Sequence, residues 1–344
     1  MLLNIQDFLE KAVRGEVTLP KQLVDEFKTA CGKAVKKQFS RQKDAQERIR
    51  MSGLGRPVCQ QQLNMRGQPK QSSYNDVMRF LFGDLVEAVA MLVMKASGVK
   101  VIGEQQPCEL VLDGELIRGT LDVILDEEGE LKVWDIKSAS PYSFDYKFKK
   151  GYDSIKEDDA FGYIMQGHLY GESKNLPFGG WIVINKSSGE WAVVPAPEDQ
   201  MEERKQLILE ANDIVKRIKS NKFKIPFTPE WETYRVNGET VRTKNKLMPK
   251  MCTFCEYKSH CWSKASYQPK ITSRAKSPPI VYSVIPIRHP YDESTCLGYL
   301  CGKSYTDRGW KTDVLPTQPL ARFTHNVKGK LFDRRLLNPT NRKS

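Results

Sequence analysis

The chain has 344 residues, 40% of them hydrophobic, with a net charge of +12 and a pI near 9.2: enough for one large domain with extensions, or two smaller ones, around a sizeable core. No apolar run has transmembrane length, and "MLLNIQDFLEKAVRGE" at the N-terminus carries acidic residues where a secretory signal would be apolar, so a cytoplasmic location is expected. The basic excess favours a polyanionic partner, and eight cysteines without an export signal point to metal, cluster or free thiols rather than disulfides.

Residues 1–50 are expected to form a basic, mostly helical region, because "LPKQLVDEFKTACGKAVKKQF" places apolar residues at helical spacing among lysines. A loop, "MSGLGRPVCQQQLNMRGQPKQSS", follows. A second helix is predicted from Asn75, through "NDVMRFLFGDLVEAVAMLVMKASG", with a stop near Gly98. Strand-like segments then run through "VKVIGE", "CELVLDGELIRG", "TLDVILD" and "ELKVWDIKS". After them come a helix around "DDAFGYIMQGHLYGES", one or two strands in "GGWIVINKSSGEWAVVPAP", and a long charged helix, "EDQMEERKQLILEANDIVKRIKSN". From about Pro269 the chain is rich in Pro, Arg, Lys and Ser with little apolar periodicity, which predicts an extended or partly disordered tail. The order of elements predicts an α/β core, a mixed sheet covered by helices.

The stretch "LDVILDEEGELKVWDIKSAS" carries the chemistry. With Glu128-Gly129 as a two-residue hairpin loop, Glu127 faces Glu130 and Asp122 falls opposite Asp135. Directly opposed residues share a sheet face with Cβ atoms roughly 4.5–5.5 Å apart. The strand period of two adds Lys137 to that face. Two adjacent carboxylates repel, and a divalent cation between them removes the cost; hard oxygen ligands suit magnesium or manganese. Any one of these acids alone would be read as part of a solvated hairpin face. Glu87 is the only charge in "LVEAVAMLVM", with Ala90 and Met91 where a solvated face would be polar, so a buried partner or a metal is expected beside it. Gln166 and Tyr170 lie one turn apart on the downstream helix and share a face, where an amide and a phenol can orient a ligand or a carboxylate.

In order, Gly83-x-x-x-Glu87, Gly119-x-x-Asp122, Asp135-Ile136-Lys137 and Gln166-x-x-x-Tyr170 resemble the PD-(D/E)XK nuclease superfamily. The likeness covers roughly residues 75–190 and is to the RecB-like branch, which includes RecB, AddB, CRISPR-associated RecB-like exonucleases and lambda-type exonuclease. The phage-type member with an iron–sulfur cluster is the expected subgroup. Relatives of the RecB and CRISPR type often carry histidine near the position of Glu87, where lambda-like enzymes carry glutamate. The resemblance implies a restriction-endonuclease-like core, with Glu87, Asp122, Asp135 and the Ile136 carbonyl holding one or two Mg²⁺ or Mn²⁺ ions. It also implies that Lys137 positions a water, or helps deprotonate it, and stabilises negative charge on the phosphate, with Gln166 and Tyr170 in support.

"MCTFCEYKSHC" contains Cys252-x2-Cys255-x5-Cys261, which one more ligand would complete as a zinc or [4Fe–4S] site. His260 adjoins the group, but its place beside Cys261 makes simultaneous ligation awkward. In RecB-like nucleases with a cluster, three such cysteines join one upstream of the nuclease motifs and close the domain. That implies Cys59, with Cys31 in reserve; Cys108 lies within the strands, in the wrong place. Structural zinc on the same ligands is the alternative. Cys296 and Cys301, with His289 nearby, read as free thiols of the tail.

Basic residues gather at Lys33, Lys36, Lys37 and Arg41, in "RVNGETVRTKNKLMPK", and at Arg322, Lys328, Lys330, Arg334 and Arg335. Around a metal site they would track phosphates. In "PYSFDYKFKK", Tyr142, Phe144, Tyr146 and Phe148 alternate, as base-stacking groups or as a strand packed on the core. The domain expectation is a helical region over 1–50, a nuclease domain with its cysteine cluster over 51–265, and a tail over 266–344. The functional expectation is a metal-dependent DNA exonuclease acting on single-stranded or duplex ends, with a recombination or replication protein as a further partner. The alternatives are a structure-specific endonuclease on the same site, or a DNA-binding protein with a degenerate nuclease fold.

Overall fold

The computed structural model describes residues 1–40, 48–71, 73–220, 222–263, 265–269, 280–284, 310–312, 323–327 and 330–333; for 244, 245 and everything past 265 it describes the backbone alone. Two compact units divide the chain, Met1–Lys224 and Ile225–Ser344. No helix among the described residues is long and apolar enough to cross a membrane.

The first unit begins with α1 (Leu2–Val13) and α2 (Lys21–Phe39), then a 3-10 turn at Met51–Gly53, α3 (Val58–Met65) and α4 (Tyr74–Ala96). The segment expected to be a loop therefore contains a helix, opened by Pro57 at its N-cap and anchored by buried Cys59, Gln62 and Leu63. Helix α4 starts one residue before the predicted Asn75, because a capping box between Ser73 and Asp76 satisfies its first amides. It ends where Gly98 takes a φ of +80°.

Strands β1 (Val101–Leu112), β2 (Glu115–Glu127) and β3 (Glu130–Ala139) form a meander. Both of its turns, Asp113-Gly114 and Glu128-Gly129, have positive φ at each central residue (+47°, +75° and +55°, +98°), the geometry that matches strand twist in two-residue hairpins. After β3 come α5 (Pro141–Tyr146), a 3-10 turn at Phe148–Lys150, α6 (Tyr152–Glu157), α7 (Tyr163–Lys174), β4 (Phe178–Asn185), β5 (Trp191–Pro195) and α8 (Met201–Lys219). The sheet order is β1-β2-β3-β4-β5, with β3 and β4 parallel and every other pair antiparallel. A mixed five-stranded sheet flanked by helices is the α/β core expected from the order of elements.

The period of two divides each strand between two faces. Trp134, Ile136, Ile182 and Ile184 pack with Ile5 of α1 and with Ala90, Val93 and Met94 of α4. Val133 joins Met165 and Leu169 of α7 and Ala211, Ile214 and Val215 of α8 on the other side. Strand β4 is buried at all eight positions, as a strand covered on both faces must be. A third cluster places Phe144, Phe148, Tyr152 and Ile155 against Phe178, Trp181 and Val183. The alternating aromatics of "PYSFDYKFKK" are thus helical rather than a strand.

In the second unit, β6 (Glu230–Val236) and β7 (Glu239–Leu247) form a hairpin across Asn237-Gly238, followed by α9 (Lys250–Thr253), α10 (Lys258–Cys261), β8 (Ser266–Pro269) and β9 (Ile280–Val284). These strands make a sheet in the order β6-β7-β9-β8, and β10 (Trp310–Thr312), β11 (Phe323–Val327) and β12 (Lys330–Asp333) make another. Of the tail expected to be extended or partly disordered, the described stretches are these short strands, and the rest lies outside the described residues.

Candidate active site

Glu127 faces Glu130 across the β2–β3 turn, and the antiparallel ladder runs back from there to Val123 opposite Trp134. The next step in that register sets Asp122 beside Asp135. Here the Asp122 side chain enters the ladder, its Oδ2 accepting the Ile136 N–H at 2.8 Å. On the opposite edge, β1 pairs Glu104 with Val123 and Gln106 with Leu121, which leaves Gln105, at φ +48°, abreast of Asp122. Local breaks of this kind re-aim side chains, and they fall at Asp122, the acidic residue within the apolar run Leu121–Leu125.

Asp135 is 1% exposed, and Lys137 Nζ lies 2.6 Å from its Oδ2. From α7, the Gln166 amide donates to Asp135 Oδ1 and to Tyr170 Oη, both at 3.2 Å. Tyr163, one turn before Gln166, presents its ring face 4.9 Å from Lys137 Nζ. Burial acts against the Lys137 ammonium, but Asp135 and Asp122 outweigh it and keep the amine charged above its usual range. Burial, and then the two aspartates, push the Tyr170 phenol up.

Glu87 approaches from α4 and accepts a hydrogen bond from the Gln105 side chain. Burial, followed by repulsion from Asp84 and Asp135, raises its carboxyl to about 7. Asp122 is raised well above the usual range, first by burial and then by Asp135 and Glu87. The three acids therefore lie within electrostatic reach of one another. Asp84, on the same helix, is held by Lys37 at 2.8 Å and Gln38 at 2.7 Å from α2.

The donor set fits a hard divalent cation. Three carboxylates are hard oxygen donors, and Asp135 Oδ2 has an ion pair but no hydrogen bond of good geometry. As the side chains stand, no three of His, Cys, Asp and Glu among the described residues are grouped to hold an ion. Lys137, the Ile136 amide and Gln105 instead supply the positive partners of Asp135, Asp122 and Glu87 respectively.

The glycines of the motifs divide. A Cβ at Gly119 would come within 2.8 Å of the Tyr170 ring and 3.0 Å of Met51 Cβ, so this glycine makes room for the tyrosine. A Cβ at Gly83 would meet open space, and nothing steric demands glycine there. Two site residues escaped sequence reasoning. Tyr163 was legible in principle, since 163, 166 and 170 follow helical spacing on one face. Gln105 carried no signal, because its role depends on an irregularity in β1.

Cys252 lies on α9, Cys261 closes α10, and the Cys255 sulfur between them accepts the Tyr257 N–H at 3.4 Å. Burial raises all three thiols, Cys261 to about 11, and Cys261 feels both Cys255 and Cys252. His260 is on α10 beside Cys261. Cys59 is buried on α3, Cys31 is half-buried on α2, and Cys108 is buried in β1, where its thiol donates to the Gln106 carbonyl at 3.6 Å. Cys296, Cys301 and His289 lie outside the described residues, as do Arg41, Arg322, Lys328, Arg334 and Arg335. Lys33, Lys36 and Lys37 are exposed on α2, and Lys330 starts β12.

No curated protein matches the chain significantly. A solved structure titled "Crystal structure of SSO0001" is similar at 17% identity, over 55% of this chain and 84% of that one, with a TM-score of 0.34. The model of the PD-(D/E)XK nuclease superfamily matches residues 6–262, a span that holds the acidic pair, the lysine two residues beyond it and the helix carrying Gln166. On that match, the chain belongs to the PD-(D/E)XK nuclease superfamily.

Proposed function

We propose that the protein is a metal-dependent deoxyribonuclease of the RecB-like branch that degrades DNA from its ends. The observation that carries this reading is the junction of β2, β3 and α7, where Asp122, Asp135, Lys137 and Gln166 converge with Glu87 in electrostatic reach. Glu87, Asp122, Asp135 and the Ile136 carbonyl would hold one or two Mg²⁺ or Mn²⁺ ions, which supply Lewis acidity at the scissile phosphate. The remaining work falls to the chain. Lys137, charged beside Asp135, stabilises negative charge on the phosphate and orients the attacking water. Gln166 fixes the rotation of the Asp135 carboxylate and ties it to Tyr170, while Tyr163 braces the lysine from its ring face.

The cysteines form a second proposed centre. Cys252, Cys255 and Cys261 would bind a [4Fe–4S] cluster, with zinc as the other occupant; three thiols in mutual electrostatic reach suit either. Cys59 as fourth ligand, with Cys31 in reserve, rests on the resemblance alone.

The test is digestion of end-labelled linear, nicked and closed circular DNA with Mg²⁺ or Mn²⁺. An exonuclease degrades linear DNA and spares closed circles. Cleavage of circles would make it an endonuclease, and a binding protein would cut none of the three. Asp135→Ala and Lys137→Ala should abolish cleavage, and an active Lys137→Ala protein would overturn the assignment. A brown protein absorbing near about 400 nm separates an iron–sulfur centre from zinc.

A further inference from the structure

Strand spacing would place the four rings of "PYSFDYKFKK" on one face, but the helical fold sorts them into two buried and two exposed. Phe144 and Phe148 are 0% and 4% exposed in the third core cluster. Tyr142 and Tyr146 are 70% and 57% exposed, one helical turn apart, with ring centroids 5.0 Å from each other and planes inclined by 33°. Lys150 Nζ stands 5.5 Å from the Tyr146 ring centre and makes no ion pair among the described residues.

The support beneath these rings is built. Ser140 caps α5 by accepting the Ser143 N–H at 3.3 Å, and Pro141 occupies its first turn. Phe144 fills the core directly below. Lys149 lies 5.1 Å over the Phe144 ring and is tied to Glu190 at 2.6 Å. Lys147 is committed to Asp158 at 2.9 Å. Of the three lysines in the segment, Lys150 alone is left to meet an external anion. Two exposed rings in mutual contact beside an ammonium without an ion pair among the described residues suit flat π-faces strung on phosphates.

The location matches. Helix α5 follows the last residue of β3 and packs against β3 and β4. Lys137 and Tyr142 are five steps apart along the chain, so their backbones lie at most about 18 Å from each other. That equals about five stacked nucleotides at 3.4 Å each.

We propose that Tyr142, Tyr146 and Lys150 form a base-stacking platform that grips the nucleotides of a single DNA strand next to the phosphate being cut. This rests on the nuclease reading and narrows it: the strand enters the site unpaired, with its bases on the tyrosines and a phosphate at Lys150.

The test measures binding of labelled oligothymidylate, and of an abasic strand of equal length, to Asp135→Asn protein in chelator. Adding Tyr142→Ala and Tyr146→Ala should weaken oligothymidylate binding by between about five-fold and a hundred-fold per ring. Binding of the abasic strand should not change. Phenylalanine at both positions should restore affinity, which a role for the hydroxyls would not allow. Lys150→Glu should lower affinity for both strands and flatten the salt dependence by about one unit of slope or more. Thermal melting of each variant reports the fold. Equal affinity of the alanine and parent proteins for oligothymidylate overturns the platform, as does failure of the phenylalanine rescue. Cleavage by the unmutated enzyme is recorded in parallel. Cleavage with base-independent binding rejects the platform alone, whereas base-dependent binding without cleavage rejects the nuclease reading on which it rests.

Discussion

Replacing Lys137 by methionine separates the electrostatics of the site from its chemistry. The ammonium lies 2.6 Å from a carboxylate that is 1% exposed. At an effective dielectric of about 20, the gross attraction across that gap is about 6 kcal/mol. Methionine fills similar volume and no longer has an ammonium to desolvate, so the net loss is smaller; breaking one side of a buried pair typically costs about 3–5 kcal/mol. Lys137→Met should therefore lower stability by about 3–5 kcal/mol at pH 7 in chelator, as urea denaturation measures. Manganese should restore more stability to the variant than to the parent, since a bound cation replaces the missing charge. Cleavage should be lost. A variant as stable as the parent at pH 7 in chelator would refute the role given to the ion pair.

Gly119→Ala should destabilise by about 1–3 kcal/mol by overpacking and should cut cleavage further by pushing Tyr170 away from Gln166. Gly83→Ala, with open space at its Cβ, should instead gain up to about 1 kcal/mol from helix propensity; urea midpoints and the end-labelled assay check both. His168 is fully buried, with Nε2 2.8 Å from Tyr152 Oη, and the Tyr152 hydroxyl donates to Glu203 at 3.0 Å. With the phenol's single proton given to Glu203, His168 Nε2 is the donor to Tyr152 Oη. Burial holds the imidazole down to about 4. A depressed histidine contributes stability that is fully present above its unfolded value of ~6.5 and is lost as pH falls toward the folded one, about 3 kcal/mol in all. His168→Gln should flatten that part of the stability–pH curve, as read by denaturation between pH 7 and 4. For the proposed thiol centre, Cys252→Ser or Cys261→Ser protein should carry less metal or cluster than the parent by absorbance and metal analysis, and should melt at a lower temperature as purified.

The ribbon was legible because its determinants are local. Glu128-Gly129 sets a two-residue turn, and the turn sets the register as far as Val123 opposite Trp134; beyond that Asp122 leaves the ladder and its side chain accepts the Ile136 N–H. Helix α4 was legible from its cap and its apolar spacing, and the Gln166–Tyr170 pair from helical periodicity. The helical path of "PYSFDYKFKK" was harder, because alternation there resembles a strand. Its deciding signals are Ser140-Pro141 and the four-residue interval between Phe144 and Phe148, which the core rewards only once β4 lies beneath them. Helix α3 was missed for a similar reason: Cys59, Gln62 and Leu63 are helical because they are buried, and the Gln62 amide donates to the carbonyls that end α8, more than 150 residues away.

The sequence by itself determined which groups are present and which of them share one hairpin face, since turn geometry and strand period act over a few residues. Only the tertiary structure decided that Glu87, on a helix packed by Ala90, Val93 and Met94 against one side of the sheet, comes within reach of Asp122 and of Asp135, the second of which Gln166 braces from the other side. It also decided that Tyr163 and Gln105 complete the surroundings. Those juxtapositions join segments up to about eighty residues apart, and they are set by how apolar faces bury against one sheet rather than by any local preference of the chain.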